Sequence, residues 1–231
     1  MFSVYNDNYI LPFYYVKKPD YEIYSDITPS DQGLKQREFK GQLSTYSPVV
    51  EINDVSLNVS LTLKLFWQIY GVDPWVRETN YNSQVFIKYK MNDSWSFMTF
   101  YDHESNGRGG IYERAWDRWT NTVQHSVKNF NLSLSIWPLV RNYETTHEEG
   151  EYIQNYLGYE NITMSYKTEL WESKISIQNL ENIDRIQFIF SQSLRVYKDF
   201  GLIFQYFRGY GQSLIEYDHF TEAYGIGIRF Y

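Results

Sequence analysis

Residues 55–70, Val-Ser-Leu-Asn-Val-Ser-Leu-Thr-Leu-Lys-Leu-Phe-Trp-Gln-Ile-Tyr, decide the fold. Val55, Leu57, Val59, Leu61, Leu63, Leu65, Trp67 and Ile69 alternate with Ser56, Asn58, Ser60, Thr62, Lys64, Phe66, Gln68 and Tyr70. A period of two means a strand with one apolar face. Strands of soluble proteins run about 5–6 residues, whereas a tilted membrane strand needs about 9–11 in the hydrocarbon alone. An alternation this long points to a membrane barrel.

The same reading along the chain predicts twelve strands, at 8–16, 36–47, 55–70, 78–91, 94–105, 116–127, 130–142, 151–165, 168–179, 184–196, 199–210 and 220–231. An even number suits closure, so the expected fold is all-β, a twelve-stranded antiparallel transmembrane β-barrel. Long polar connections at 17–35, 71–77, 106–115, 143–150 and 211–219 alternate with short turns such as Asn92-Asp93 and Tyr166-Lys167. Bacterial barrels place long loops outside and short turns in the periplasm, which would turn 106–115 outward and leave both termini periplasmic. The last strand sets Tyr224, Ile226, Ile228 and Phe230 on one face, opposite Gly225, Gly227 and Arg229, and the chain stops at Tyr231. That is the pattern of a terminal barrel strand, with Phe230 rather than Tyr231 on the apolar face; an ordinary edge strand reads the same way.

Composition agrees. The 231 residues fit one domain, 1–231. The 23 Tyr residues, a 19% aromatic content and abundant β-branched residues favour strands. The mean hydropathy is negative and no apolar run reaches the roughly 20 residues of a spanning helix, but a barrel hides its hydrophobicity because lumenal positions are polar. A net charge of -7 argues against nucleic-acid binding and is compatible with a divalent cation. With no Cys there is neither a disulfide framework nor a thiolate metal site. The start, Met-Phe-Ser-Val-Tyr-Asn-Asp, lacks the basic and apolar regions of a signal peptide, so it reads as a mature chain with an added or retained Met1.

The fifth predicted strand ends Tyr101-Asp102-His103-Glu104-Ser105-Asn106-Gly107-Arg108. Residues two apart share a face, so His103 and Ser105 point the same way, with Trp95, Phe97 and Tyr101, onto the apolar outer side. Serine becomes a competent nucleophile when a base takes its proton, and imidazole does so near neutral pH. Asp117, opening the next strand about 4.8 Å away, is placed to orient the imidazole and stabilise its charged form. Taken alone, the pair reads equally as a solvated strand-end pair.

Several segments together resemble the outer-membrane phospholipase A family: Asn8-Tyr9-Ile10, Arg77-Glu78-Thr79-Asn80-Tyr81, His103-Glu104-Ser105-Asn106-Gly107-Arg108, Trp116-Asp117-Arg118, and Gly209-Tyr210-Gly211-Gln212-Ser213-Leu214-Ile215-Glu216-Tyr217. They run from the first strand to the last. The His-x-Ser-Asn-Gly-Arg block followed by Trp-Asp-Arg is the specific part. The resemblance implies a twelve-stranded barrel in the outer membrane of a Gram-negative bacterium, its active site towards the outer leaflet. It also implies calcium-dependent hydrolysis of both acyl esters of membrane phospholipids, and activation by homodimerisation.

His103 matches the family's base and Ser105 its nucleophile, while Asp117 stands where the best-known members carry Asn. Either side chain accepts an imidazole N–H. The resemblance assigns the oxyanion hole to the Gly107 amide with a calcium-polarised water. It assigns calcium to the Arg108 carbonyl, Glu113, and Asp73 from the partner subunit. Glu113 and Asp73 replace hydroxyl residues of the family, and carboxylate oxygens suit this hard cation.

His125, His147 and His219 show no partner pattern and read as non-catalytic. Arg77 and Glu78 read as an interior ion pair or, alternatively, as catalytic groups. The aromatic excess suits interfacial girdles, and Gly209 and Gly211 suit a tight loop entry. Two other functions fit parts of the pattern: a porin-like channel, disfavoured by the narrow lumen of twelve strands, and a soluble β-sandwich binding module.

Overall fold

A computed structural model of the chain describes residues 3–29, 33–143 and 152–231. Its strands are β1 (Ser3–Val4), β2 (Asn8–Val16), β3 (Arg37–Ile52), β4 (Val55–Gln68), β5 (Trp75–Lys90), β6 (Trp95–Ser105), β7 (Ala115–Val127), β8 (Phe130–Asn142), β9 (Glu160–Lys167), β10 (Trp171–Gln178), β11 (Gln187–Arg195), β12 (Phe200–Gly209) and β13 (Thr221–Phe230). From β2 onward each pairs antiparallel with the next, and β13 returns to β2 from Ala223↔Val16 to Phe230↔Asn8. The sheet holds 13 strands; two-residue β1 pairs with β3 alongside Tyr46 and Thr45, and the remaining twelve form a closed barrel. Closure excludes the sandwich reading. No described helix is long and apolar enough to cross a membrane.

Burial inverts the rule of soluble proteins. On β4 the polar Asn58 and Thr62 are 2% and 4% exposed in the lumen, while Val59 and Leu61 are 38% and 47% exposed on the outer wall. Tyr224, Ile226, Ile228 and Phe230 of β13 are likewise exposed outside. Apolar-out, polar-in alternation is what a barrel surrounded by hydrocarbon requires.

Several boundaries differ from expectation. The predicted strand 151–165 begins at Glu160; before it, a single helical turn α1 (Ile153–Leu157) buries Ile153 and Leu157, four residues apart on one face, against Trp116, Leu214 and Tyr217. Gly158, at φ 65°, ends that turn. The strand expected from 184 starts at Gln187, after a 3-10 turn at Ile183–Arg185. β5 already starts at Trp75, β3 continues to Ile52, and Tyr166-Lys167 belongs to β9, the turn following at 168–170.

Arg77 and Glu78 do not pair with each other. A bulge sets Phe66 opposite Glu78 but Trp67 opposite Val76, so Arg77 is an extra residue, and Arg77 and Glu78 both turn inward while Val76 stays outside. Arg77 Nε and Nη2 clamp Glu38 at 2.6 and 2.8 Å, and Nη1 donates to Glu216 and Tyr24, both at 2.8 Å. Glu78 accepts instead from Arg108 Nε and Asn80 Nδ2.

Glu216 lies in the β12–β13 connection, whose residues 212–217 are buried in the barrel mouth. Leu214 N donates to Asn80 Oδ1 and Ile215 N to Glu78 Oε1. Gly209 and Gly211, at φ 132° and 67°, let the chain turn inward there. At the short-turn end the lumen widens into a cavity of about 1240 Å³ lined by groups such as Asp102, Arg118, Lys174 and Arg229.

Candidate active site

β6 carries the two central side chains, and β5, β7 and β8 supply their neighbours. Pairing sets Ser105 between Tyr81 of β5 and Ala115 of β7, and Tyr143 N extends this rung by donating to the Ala115 carbonyl at 3.0 Å. One rung further along the wall, His103 lies between Ser83 and Asp117, and Asp117 faces Arg141 of β8. Both rungs present their side chains on the barrel exterior.

His103 Nδ1 lies 2.7 Å from Asp117 Oδ1. An ionised carboxylate can only accept, so the proton of this bond sits on Nδ1; in the neutral ring this leaves the Nε2 lone pair free to act as base. The His103 side chain is 41% exposed and the Asp117 side chain 10%. Tyr143 donates its hydroxyl to Asp117 Oδ2. Two donors, one on each oxygen, thus solvate a carboxylate on an apolar wall, where an unsatisfied charge would be costly. The Tyr143 ring meets the imidazole edge-on, its centroid 6.3 Å away. Its hydrogen bond to Asp117 also holds the Tyr143 hydroxyl above the ordinary tyrosine value.

The opposite face of the same strands is locked from the lumen. Glu104, between His103 and Ser105, accepts from Trp116 Nε1 at 3.2 Å and Arg118 Nη2 at 3.3 Å, and Arg118 also pairs with Asp102 at 2.9 Å. Such inner cross-strand ties fix the rotation of β6 against β7.

The loop after Ser105 is organised by Asn106, which is buried. Its Oδ1 accepts from the amides of Arg108 and Arg114, and its Nδ2 donates to the Tyr112 carbonyl. Gly107 follows at φ 65°, a conformation that a side chain disfavours; a Cβ there would lie 3.1 Å from the Tyr81 ring. Arg108 sends its guanidinium inward to Glu78 at 2.9 Å and to the Arg77 carbonyl. Glu113 caps a 3-10 turn through its amide and is half-buried; Asp73 is exposed in the β4–β5 connection. Among the described residues no three His, Cys, Asp or Glu converge on one point. Carboxylate and carbonyl oxygens fit calcium in kind, but Arg108 and Glu113 fall short of its usual six to eight ligands, leaving room for waters and a second chain.

Of the other histidines, His125 packs its ring 4.2 Å from that of Trp95, and His219 Nε2 lies 2.9 Å from the Lys18 carbonyl. His147 lies outside the described residues.

A sequence model of the family described as phospholipase A1 matches residues 1–230. The chain belongs to the phospholipase A1 family. Phospholipase A1 of Proteus vulgaris is 26% identical over 243 residues, spanning 97% of this chain and 79% of that protein. Phospholipase A1 of Escherichia coli K12 is 26% identical and covers 85% and 71%. Among solved structures, the calcium-bound dimer of Salmonella typhi outer membrane phospholipase superposes with a TM-score of 0.89 at 24% identity, covering 100% of this chain and 92% of that one. Outer membrane phospholipase A from Escherichia coli gives 0.87 at 23%. These superpositions show the same twelve-stranded barrel fold.

Tyr143 and Arg141 are the neighbours of this site that the sequence does not single out. Both depend on how β7 and β8 are registered.

Proposed function

We propose that this member of the phospholipase A1 family is a calcium-dependent outer-membrane phospholipase that hydrolyses the sn-1 and sn-2 acyl esters of glycerophospholipids. The observation that carries this reading is the 2.7 Å contact of His103 with Asp117, with Ser105 on the same outer face. Ser105 is the nucleophile, His103 the base and Asp117 the orienting carboxylate. A phospholipid in the surrounding leaflet lays its acyl chains along the wall and brings an ester to Ser105.

The Ser105 Oγ–H proton passes to His103 Nε2 as Oγ bonds the ester carbonyl carbon. The same proton then goes to the departing glycerol oxygen as the acyl–oxygen bond breaks. His103 next deprotonates a water that attacks the acyl-serine, and Oγ recovers its proton as the fatty acid leaves. The Gly107 amide donates to the oxyanion. The Arg108 carbonyl and Glu113, with Asp73 of the partner subunit, would hold calcium, which would supply positive charge near the oxyanion. Two sites are completed in a homodimer, located in a Gram-negative outer membrane and facing its outer leaflet.

Fatty-acid release from mixed micelles with calcium tests the assignment. Ser105→Ala is expected to abolish release with the barrel intact. Undiminished release would remove Ser105 as nucleophile.

A further inference from the structure

Arg141 stands on the outer wall because of one irregularity in β8. Pairing runs Asn121↔Ile136 and then Trp119↔Leu139, so Trp137 and Pro138 together oppose Thr120. Pro138 lacks an N–H and suits such a bulge. Before the bulge Ile136 faces outward and Trp137 inward; beyond it Leu139 and Arg141 are exposed and Val140 packs inward. Without the bulge Val140 would oppose Asp117 and Arg141 would enter the lumen.

The guanidinium of Arg141 lies 4.6 Å from the centroid of the Tyr143 ring. Tyr143 belongs to the Ser105 rung, so the side chain climbs from the His103 rung toward the strand ends, keeping its stem on the apolar wall and its charge at the rim. A cation two strands from the candidate nucleophile, at the height where a bilayer places its headgroups, matches the layout of a glycerophospholipid. Its anionic phosphate sits a few atoms from the scissile ester.

We propose that Arg141, braced on Tyr143, binds the substrate's phosphodiester and so selects phosphate-bearing lipids over neutral esters. A guanidinium offers a phosphate paired, charge-assisted hydrogen bonds, and stacking on the phenol ring holds its plane ready. The inference rests on the proposed phospholipase reading and names the headgroup contact of that site. The substrate's phosphate would be drawn to the rim beside Tyr143 while its ester settles over Ser105.

The test uses the full chain in a neutral maltoside detergent. Binding of an alkylphosphocholine, which carries the phosphate and no cleavable ester, is titrated for wild type, R141Q and R141K. R141Q is expected to weaken binding about tenfold and R141K less, because lysine keeps the charge and loses the fork. In parallel, the ratio of kcat/KM for a phosphatidylcholine over a phosphate-free diacylglycerol with the same chains is expected to fall about tenfold in R141Q. Unchanged alkylphosphocholine binding in R141Q overturns the proposal, as does an equal loss on both substrates with the ratio preserved. A fully active S105A variant would defeat the nucleophile assignment and leave the binding result standing. Weak binding by wild type that R141Q does not alter would defeat the phosphate site alone.

Discussion

Asp117 meets His103 across the β6–β7 pair at 2.7 Å through one carboxylate oxygen and meets Tyr143 through the other, so both oxygens are committed on the barrel's outer wall. For the imidazole, the requirement is an acceptor at Oδ1 rather than a full negative charge. Asp117→Asn, with Oδ1 kept toward Nδ1, is expected to retain activity within about tenfold, whereas Asp117→Leu loses on the order of 100-fold or more. Steady-state fatty-acid release for the two variants checks this; equal losses would contradict it.

Tyr143 adds a pH dependence. Its hydroxyl is held above the ordinary tyrosine value, first by the hydrogen bond to Asp117. The folded state therefore keeps the proton that the unfolded chain gives up sooner. The resulting stabilisation is complete below the unfolded value and disappears as pH rises through the higher folded one. Tyrosine NMR on labelled protein, with Tyr143→Phe to assign the signal, should find this residue titrating late and moving earlier in Asp117→Leu.

Register explains what the sequence did and did not reveal about this site. His103, Ser105 and Asp117 fall on one face by simple parity within and across two strands that lack irregularities. Arg141 and Tyr143 could not be placed that way, because Pro138 inserts a residue and reverses the parity of everything beyond it. The same holds at Arg77, where the alternation of β5 fails because both Arg77 and Glu78 face the lumen. Helical turn α1 is indistinguishable from strand in the sequence because one turn presents only two apolar residues to show a period. Closure, strand number and apolar face were legible because lipid-facing strands repeat the same two-residue rule throughout.

The Glu38–Arg77 pair is almost wholly out of water, with side-chain exposures of 0% and 2%. Removing the carboxylate leaves a buried guanidinium with Glu216 as its remaining anion. Glu38→Ala should cost about 3 kcal/mol. Denaturant unfolding followed by tryptophan fluorescence in detergent would measure it, and a variant with the wild-type midpoint would count against the pair's structural role.

Gly209 has no space for a side chain: a Cβ would lie 2.5 Å from the Ile186 carbonyl oxygen and 2.7 Å from Gln187 Cα. Its φ of 132° is also a conformation that other residues avoid. Gly209→Ala should destabilise the barrel by about 1–3 kcal/mol. The same unfolding measurement detects it.

Glu113→Gln keeps an oxygen donor but removes charge from the proposed calcium set. Its activity should require higher calcium than wild type while reaching a comparable maximum. A calcium titration unmoved by the substitution would remove Glu113 as a ligand.

The inward fold of residues 212–217 stoppers one end of the cylinder, and Glu216 nails that stopper to Arg77. What remains is shaped more like a cup than a pipe, open at the turn end and narrowed by this segment at the other.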